Sequence, residues 1–244
     1  NVLNLGRSKD AREIDVIADV VRGFDLVAVQ EVSTGPAGAD AVARLVDALE
    51  RRGADWDYTL SDPTTGPGSE RYAFLWKPSR VRLAGPAWLE ASLADALDRE
   101  PYLARFDAGG RRFLVASFHA VPRDKNPDAE ILRLDDLHRR YPDDHLLVAG
   151  DFNLSQKDKA FAELKAAGFA PAVTGQKTSL RMKPKDSGLP DAHLANEYDN
   201  VFYESAALHV DTAGVVDFTP RFATLQEARA ISDHLPVFVH VRWR

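Results

Sequence analysis

Gly150-Asp151-Phe152-Asn153 follows the apolar run Leu146-Leu147-Val148-Ala149. The run reads as a buried strand. In an extended chain the Asp151 carboxylate and the Asn153 carboxamide alternate with Phe152 and point the same way. An acid at the carboxyl end of a buried strand, just before a helix, stands where an open α/β sheet places its chemistry. The plainer reading is an Asp-Asn turn that closes a strand, since both residues favour turns. The same arrangement recurs, because Asn1, Glu31, His119, Asp199, Asp233 and His234 all stand at the ends of strand-like stretches. Each alone has a structural explanation: Glu31 solvated at a strand exit, His119 in the core with a backbone partner, Asp233 as a cap or turn residue. Together, carboxylates with a few carboxamides form an oxygen donor set of the kind magnesium and manganese prefer. Two histidines supply groups that exchange protons near neutral pH.

The rest of the composition narrows the chemistry. The chain has no cysteine, which rules out a thiolate zinc site and any disulfide. Its 244 residues suit one large domain or two small ones. No linker long enough to divide it is visible, so a single domain over residues 1–244 is expected. No apolar run approaches the ~20 residues of a membrane span. A net charge of −6 argues against a binder that holds phosphates by bulk charge. It leaves room for an enzyme that touches a few phosphates and turns over. The chain opens on Asn1-Val2-Leu3-Asn4-Leu5, already strand-like, which suggests that residues precede it.

Elements must bring these residues together. Period-2 alternation predicts a short strand over residues 1–5. Ser8 is the expected cap of a helix whose apolar stripe is Ile14, Ile17, Ala18 and Val21, with Gly23 as its stop. Leu26-Val27-Ala28-Val29 reads as a second buried strand ending in Gln30-Glu31. A helix is expected over residues 39–52 and a strand over 56–60. The Pro/Gly-rich stretch 61–69 reads as a loop. Residues 70–77 and 80–89 read as paired strands joined at Pro78-Ser79, and residues 102–106 and 112–118 as a hairpin about Gly109-Gly110. Asn126-Pro127 opens a helix with Ile131, Leu134, Leu137 and Tyr141 facing in. Ser155 is the expected cap of the helix carrying Phe161 and Leu164. Residues 174–196 form a long polar segment with Lys177, Arg181, Lys183 and Lys185. A loop of that length is usually functional or disordered. Tyr198 to Tyr203 returns to strand, residues 223–230 to helix, and Val237 to Trp243 form a final strand. Strand, helix, and strand ending in an acid thus occurs twice, the pattern of two similar layers facing each other.

The ordered set Asn1, Gln30-Glu31, Phe118-His119, Gly150-Asp151-Phe152-Asn153, Tyr198-Asp199 and Ser232-Asp233-His234-Leu235-Pro236 resembles the endonuclease/exonuclease/phosphatase superfamily over the whole chain. Asn1-Val2-Leu3-Asn4-Leu5-Gly6, Glu70-Arg71-Tyr72 and Arg99-Glu100-Pro101 look most like the deoxyribonuclease I branch and its bacterial relatives. The implied fold is α/β, a four-layer α-β-β-α sandwich with two packed mixed sheets and internal pseudo-symmetry. The resemblance implies that Glu31 is the main magnesium ligand, with Asn1 and Asp233 beside it. It implies that His234 is oriented by Asp199 and His119 by Glu70. Asp151 and Asn153 position the attacking water and a phosphate oxygen, and Arg99 holds a phosphate. Leu3 departs from the polar residue that relatives carry near the metal. Ser33 stands where deoxyribonuclease I has a DNA-contacting arginine, and Gly68 lies near the place of a minor-groove tyrosine. That enzyme's structural calcium sites do not transfer.

The leading expectation is a magnesium- or manganese-dependent phosphodiester hydrolase, a nuclease with DNA as its partner, monomeric and without a membrane span. Export is expected from the branch. The alternative is a phosphatase or phospholipase of the same superfamily acting on inositol phosphates or sphingomyelin. A membrane-acting version needs an exposed apolar, aromatic hairpin, and the best candidate, Ala87-Trp88-Leu89, is short. A third class, a binding module that has lost catalysis, conflicts with the intact set of catalytic positions.

Overall fold

The computed structural model describes residues 1–6, 9–185 and 188–244. In chain order they form helix α1 (Ala11–Val21), strand β1 (Leu26–Val32), helix α2 (Pro36–Glu50), and strands β2 (Asp57–Leu60), β3 (Arg71–Trp76), β4 (Arg82–Leu83), β5 (Trp88–Leu89), β6 (Tyr102–Ala108) and β7 (Arg111–His119). Helices α3 (Asp128–Ile131) and α4 (Asp135–Arg140), strand β8 (Leu146–Asp151) and helix α5 (Ala162–Ala166) follow. Strands β9 (Phe169–Pro171), β10 (Asp199–Glu204) and β11 (Leu208–Val215), helix α6 (Leu225–Ile231) and strand β12 (Val237–Trp243) complete the chain. No helix among the described residues is long and apolar enough to cross a membrane.

Side-chain alternation sorts these elements into four layers. In β3, Tyr72, Phe74 and Trp76 face one way, against Tyr102, Ala104, Phe106 and Val115 of the larger sheet. Ala73 and Leu75 face the other way, against α1 and α2. In β7, Val115 faces β3 while Leu114, Ala116 and Phe118 pack on α3, α4 and α5. This period of two is what a strand buried on both faces requires. The larger sheet is mixed, in the order β4-β6-β7-β8-β10-β9, with β7 and β8 parallel and β5 paired to β6. The facing layer consists of two antiparallel sheets, β1-β3-β2 and β11-β12. Leu208, Val237, Val239 and Trp243 of the latter pack on Leu147 and Val201 of the larger sheet. The four-layer α/β sandwich is therefore present, with one facing layer divided and only the larger sheet mixed.

Several local expectations change. Residues 1–5 do not form a strand: Leu3 and Asn4 are left-handed (φ 48 and 57), and Leu5 makes a single parallel bridge to Val32. The turn lets the Asn4 amide donate to Glu31 Oε2 at 3.0 Å, a contact an extended segment would not make. The parallel crossover of the second half, β7 through α3 and α4 to β8, has only that bridge as its first-half counterpart. The expected cap Ser8 lies outside the described residues. Asp10 caps α1, with Glu13 completing a capping box. Residues 70–77 and 80–89 are not paired. Both edges of β3 are filled, by β1 and β2, so the following segment crosses to β6 instead. The helix after Pro127 breaks into α3 and α4 around Leu132–Leu134, although Ile131, Leu134 and Leu137 are buried as expected. Asp158, not Ser155, caps the turn that leads into α5. Strand β11 is the one long element the apolar pattern did not reveal.

The packing that carries the Asp151 segment is aromatic. Phe152 is fully buried among Phe118, Phe161 and Phe202, with ring centroids 5.7, 5.5 and 5.2 Å away. Beside it, Gly150 sits at φ 150 opposite Phe118 in the parallel ladder. A Cβ there would lie 1.8 Å from the Phe118 carbonyl oxygen, so β7 and β8 tolerate no side chain at this rung. Gly150→Ala is expected to lower stability by about 3 kcal/mol or more in urea melts. The control Gly23→Ala, with open space at its Cβ, should stay within about 0.5 kcal/mol of the parent.

Candidate active site

Three neighbouring strands of the larger sheet place polar residues in one row. His119 ends β7 beside Asp151, the last residue of β8, and Asp199, the first of β10, lies opposite Asp151 on its other side. His234 joins them from the segment after α6. Asp151 is 1% exposed. Its Oδ2 lies 3.6 Å from His119 Nε2 and 3.4 Å from His234 Nε2, and accepts from Asn1 Nδ2 at 3.1 Å. Each imidazole is held from behind by a second acid. His119 Nδ1 pairs with Glu70 Oε2 at 2.9 Å, and His234 Nδ1 with Asp199 Oδ2 at 2.7 Å. With Nδ1 taken, Nε2 is the nitrogen each ring turns to Asp151.

The opposite wall comes from β1. The β1–β3 register shifts between Val29 and Val32, and at this bulge Glu31 is left-handed at φ 62. A non-glycine residue in that region is uncommon, and bulges beside functional sites re-aim side chains. Asn1 Nδ2 donates to Glu31 Oε1 at 2.8 Å as well as to Asp151, so one carboxamide ties the two walls together. Glu70 Oε1 accepts from the Glu31 amide at 3.0 Å. All these walls surround a cavity of about 340 Å³ lined by Asn1, Glu31, Glu70, Arg99, His119, Asp151, Asn153, Asp233 and His234, together with Ser33, Gly68 and Pro122.

The charges shift one another. Burial drives the His234 imidazole toward its neutral form, but Asp199 and Asp151 outweigh it and raise its pKa to about 9. Burial works against the His119 cation too, and Glu70 and Asp151 again raise it above the usual histidine value. Burial would raise the Asp151 carboxyl; the imidazoles of His234 and His119 and the Asn153 amide instead hold it below the usual carboxylate range.

The structure refines the expectations for three residues. Asn153 is not on an extended chain: β8 ends at Asp151, and Asn153 is left-handed (φ 50), its amide donating to Asp151 Oδ1 and its Nδ2 to Ala120 O. Arg99 lines the cavity but is 7% exposed, and its guanidinium donates to the carbonyls of His119, Ala120 and Gly68. It is committed first to the backbone that carries His119. Asp233 lines the cavity beside Arg229, with their charged groups 3.5 Å apart. Ser33 Oγ is buried in the cavity wall without a hydrogen-bond partner among the described residues.

Sequence reasoning missed two residues. Thr178, fully buried, donates from Oγ1 to Asp199 Oδ2 at 2.6 Å and accepts from the Tyr198 and Asp199 amides. Glu130 of α3 accepts from the Asp98 and Val121 amides, both at 2.7 Å, bracing the segments that hold Arg99 and His119. A threonine in a polar segment and a glutamate in a helix carry no local mark of such roles.

A divalent ion fits the donors. The cavity offers the carboxylates of Glu31, Asp151 and Asp233 and the carboxamides of Asn1 and Asn153, an all-oxygen set. Among the described residues the tightest cluster of acids and histidines is Asp151, Asp199 and His234, with ligand atoms within 4.8 Å of one another. The His234–Asp199 hydrogen bond and the Thr178 hydroxyl already fill Asp199 Oδ2. The Glu31 side of the cavity, where Glu31 is only half-buried, faces open space.

In the protein without metal, His234 should titrate near pH 9, read from its imidazole NMR resonances. Its folded pKa lies above the ~6.5 of an unfolded histidine. Its contribution to stability is therefore complete below pH ~6.5 and lost as the pH rises through about 9. Asp199→Asn should move the titration down toward pH ~6.5; a parent midpoint already there would contradict the assigned geometry. Thr178→Val, which keeps the volume but removes the hydroxyl, should cost about 1–3 kcal/mol in denaturant melts.

Comparison with known proteins places these features in context. The description "Endonuclease/Exonuclease/phosphatase family" matches residues 1–234. A deoxyribonuclease of Thioalkalivibrio sp. (strain K90mix) is 31% identical over 261 residues, covering 98% of this chain and 68% of that protein. A Bacteroides thetaiotaomicron endonuclease/exonuclease/phosphatase family protein superposes with a TM-score of 0.71 at 17% identity, covering 99% of this chain and 94% of the other. A mannosyl-6-phosphatase from Bacteroides thetaiotaomicron VPI-5482 shares the fold at a TM-score of 0.68 and 14% identity, covering 98% and 97%.

Proposed function

We propose that this chain, which belongs to the endonuclease/exonuclease/phosphatase family, is a divalent-metal-dependent phosphodiester hydrolase that acts on DNA, folded as one domain over residues 1–244. The observation that carries this reading is the buried Asp151 carboxylate between two imidazoles, each backed by its own acid, on the floor of an open polar cavity. The 31% identity to a deoxyribonuclease over 98% of the chain supports DNA as the substrate class.

Magnesium or manganese held by Glu31 with Asn1 and Asp233 would neutralise charge growing on the phosphoryl oxygens. Asn1 turns its side-chain Nδ2 to Glu31 and Asp151, and its carboxamide must rotate to offer Oδ1. The chain's own groups supply the proton traffic. The acids behind and beside them raise both imidazoles above the usual histidine value, His234 to about 9, which favours the protonated form that donates through Nε2. One donates to a phosphoryl oxygen and the other to the departing ester oxygen. Asp151, ionised and within reach of both rings, receives the proton of the attacking water. Asn153 and Arg99 line the cavity and hold the backbone on which this geometry rests, and an N–H that either has left over would serve a substrate phosphate.

Supercoiled plasmid incubated with magnesium should be nicked and then fragmented, and chelator should stop the reaction. His119→Ala and His234→Ala, still folded by circular dichroism, should each cut about 10²–10⁴-fold more slowly. An intact plasmid beside phosphate released from inositol phosphates would instead assign the centre to monoester hydrolysis.

A further inference from the structure

We propose that Gln30 is the positioning residue that holds the Glu31 wall of the cavity against the His119 wall, by joining three segments of the chain beneath the site. The proposal rests on the phosphodiesterase reading above and names what keeps the two halves of that site in register.

The period of two along β1 sends Leu26 and Ala28 toward the larger sheet and Val27 and Val29 toward the helices. Gln30 comes next on the inter-sheet face, where continued packing calls for an apolar side chain, and it is 3% exposed. The facing row of β7 runs Phe113, Val115, Ser117, His119 by the same alternation, and Ser117 is fully buried. Gln30 Nε2 donates to Ser117 Oγ at 2.7 Å, a polar link between the two sheets. Ser117 stands two residues before His119, so the link lies ~7 Å along β7 from the residue that turns its ring to Asp151.

The other end of the same carboxamide serves the first segment. Gln30 Oε1 accepts from the Asn1 backbone nitrogen at 2.8 Å, and the Gln30 carbonyl accepts from the Val2 amide at 3.4 Å. Asn1 is the residue whose side chain touches both Glu31 and Asp151. Gln30 thus fastens β1, β7 and the turn at the first residues to one another.

This place needs a side-chain fastening. The β1–β3 register shifts between Val29 and Val32, so the regular ladder does not hold residues 30 and 31. Glu31 is left-handed in this gap. Its backbone bonds to Glu70 and Leu5, and Gln30 adds a tie to the sheet that carries His119. A fully partnered carboxamide in an apolar interface adds little net stability, since an apolar residue of the same shape can serve as well. Its presence at this level is explained by what it aligns.

The test compares the parent with Gln30→Met, Ser117→Ala, the double variant and Thr59→Val. None of these residues lines the cavity. Thr59→Val is the control, because it removes another hydrogen bond between the sheets, the one of 2.7 Å between Thr59 Oγ1 and the Tyr102 hydroxyl. Manganese binding without substrate, read by electron paramagnetic resonance, and magnesium-dependent hydrolysis of bis(4-nitrophenyl) phosphate are measured beside urea melts. Gln30→Met should bind manganese about 10- to 100-fold more weakly, since it releases Asn1 and Glu31 together. Ser117→Ala leaves the Asn1 contact in place and should lower kcat about 10- to 100-fold, with KM and manganese affinity near the parent's. In the double variant neither partner is left unsatisfied, so the urea midpoint should recover most of what Ser117→Ala lost while kcat stays low. Thr59→Val should shift the urea midpoint alone.

Parent-like manganese affinity in folded Gln30→Met, or parent-like kcat in Ser117→Ala, overturns the proposal. So does recovery of kcat together with stability in the double variant, or an equal loss of kcat in Thr59→Val, either of which leaves Gln30 a structural residue only. Should Gln30→Met fail to fold, Ser117→Ala against Thr59→Val decides alone. A parent that hydrolyses no diester, with manganese affinity still falling in Gln30→Met, would defeat the functional reading and leave the positioning role standing.

Discussion

A carboxylate with 1% of its surface exposed must be surrounded by donors, and the centre of this protein is the set of elements that surround Asp151. A lone buried anion would neutralise itself by taking a proton. Here the imidazoles of His234 and His119, the Asn153 amide and the Asn1 carboxamide favour its ionised form. That demand fixes much else. His119 must end β7 at the rung beside Asp151, and Asp199 must begin β10 at the rung opposite. His234 must be brought in from a separate segment, and the first residues must fold back as a left-handed turn so that Asn1 reaches both walls.

Each imidazole carries its own acid, and the two supports differ in construction. Asp199 is braced by Thr178, whose hydroxyl also accepts two backbone amides. Glu70 bridges His119 and the amide of Glu31, so the histidine on one sheet is tied to the acid on the other. Arg99 and Glu130 stiffen the same corner by binding backbone carbonyls and amides, and Arg99 also stands 3.8 Å from the carboxylates of Glu70 and Asp98. Such second contacts hold a centre in its working geometry when the side chains come from distant segments.

The charge pattern has a direction. The cavity floor is rich in acids, which suits a divalent ion, while the exposed Lys183 and Lys185 and the Arg123–Lys125 turn stand outside its lining. On the proposed phosphodiesterase reading, a polyanionic substrate would meet acids only where an ion offsets them. This arrangement reconciles an overall charge of −6 with a phosphate-bearing substrate.

The sequence alone determined which residue types meet and in what order. Apolar runs ending in Glu31, His119 and Asp151 marked strands with polar ends, because burial on both faces demands unbroken hydrophobic stretches. The ordered short motifs identified the family and the α/β sandwich. The helix stripe of α1 and the hairpin of β6 and β7 were legible for the same local reasons. What the sequence could not show depends on backbone conformations and partners remote in the chain. The left-handed Glu31 and Asn153 are set by a bulge and an Asx turn, not by composition. The crossing of the chain after β3 to β6 follows from both β3 edges being filled, a fact of the assembled sheet. Thr178 and Glu130 gain their roles only when Asp199, Asp98 and Val121 are brought to them. Local residue patterns report burial and propensity; hydrogen bonds between segments many residues apart exist only once the tertiary structure has closed.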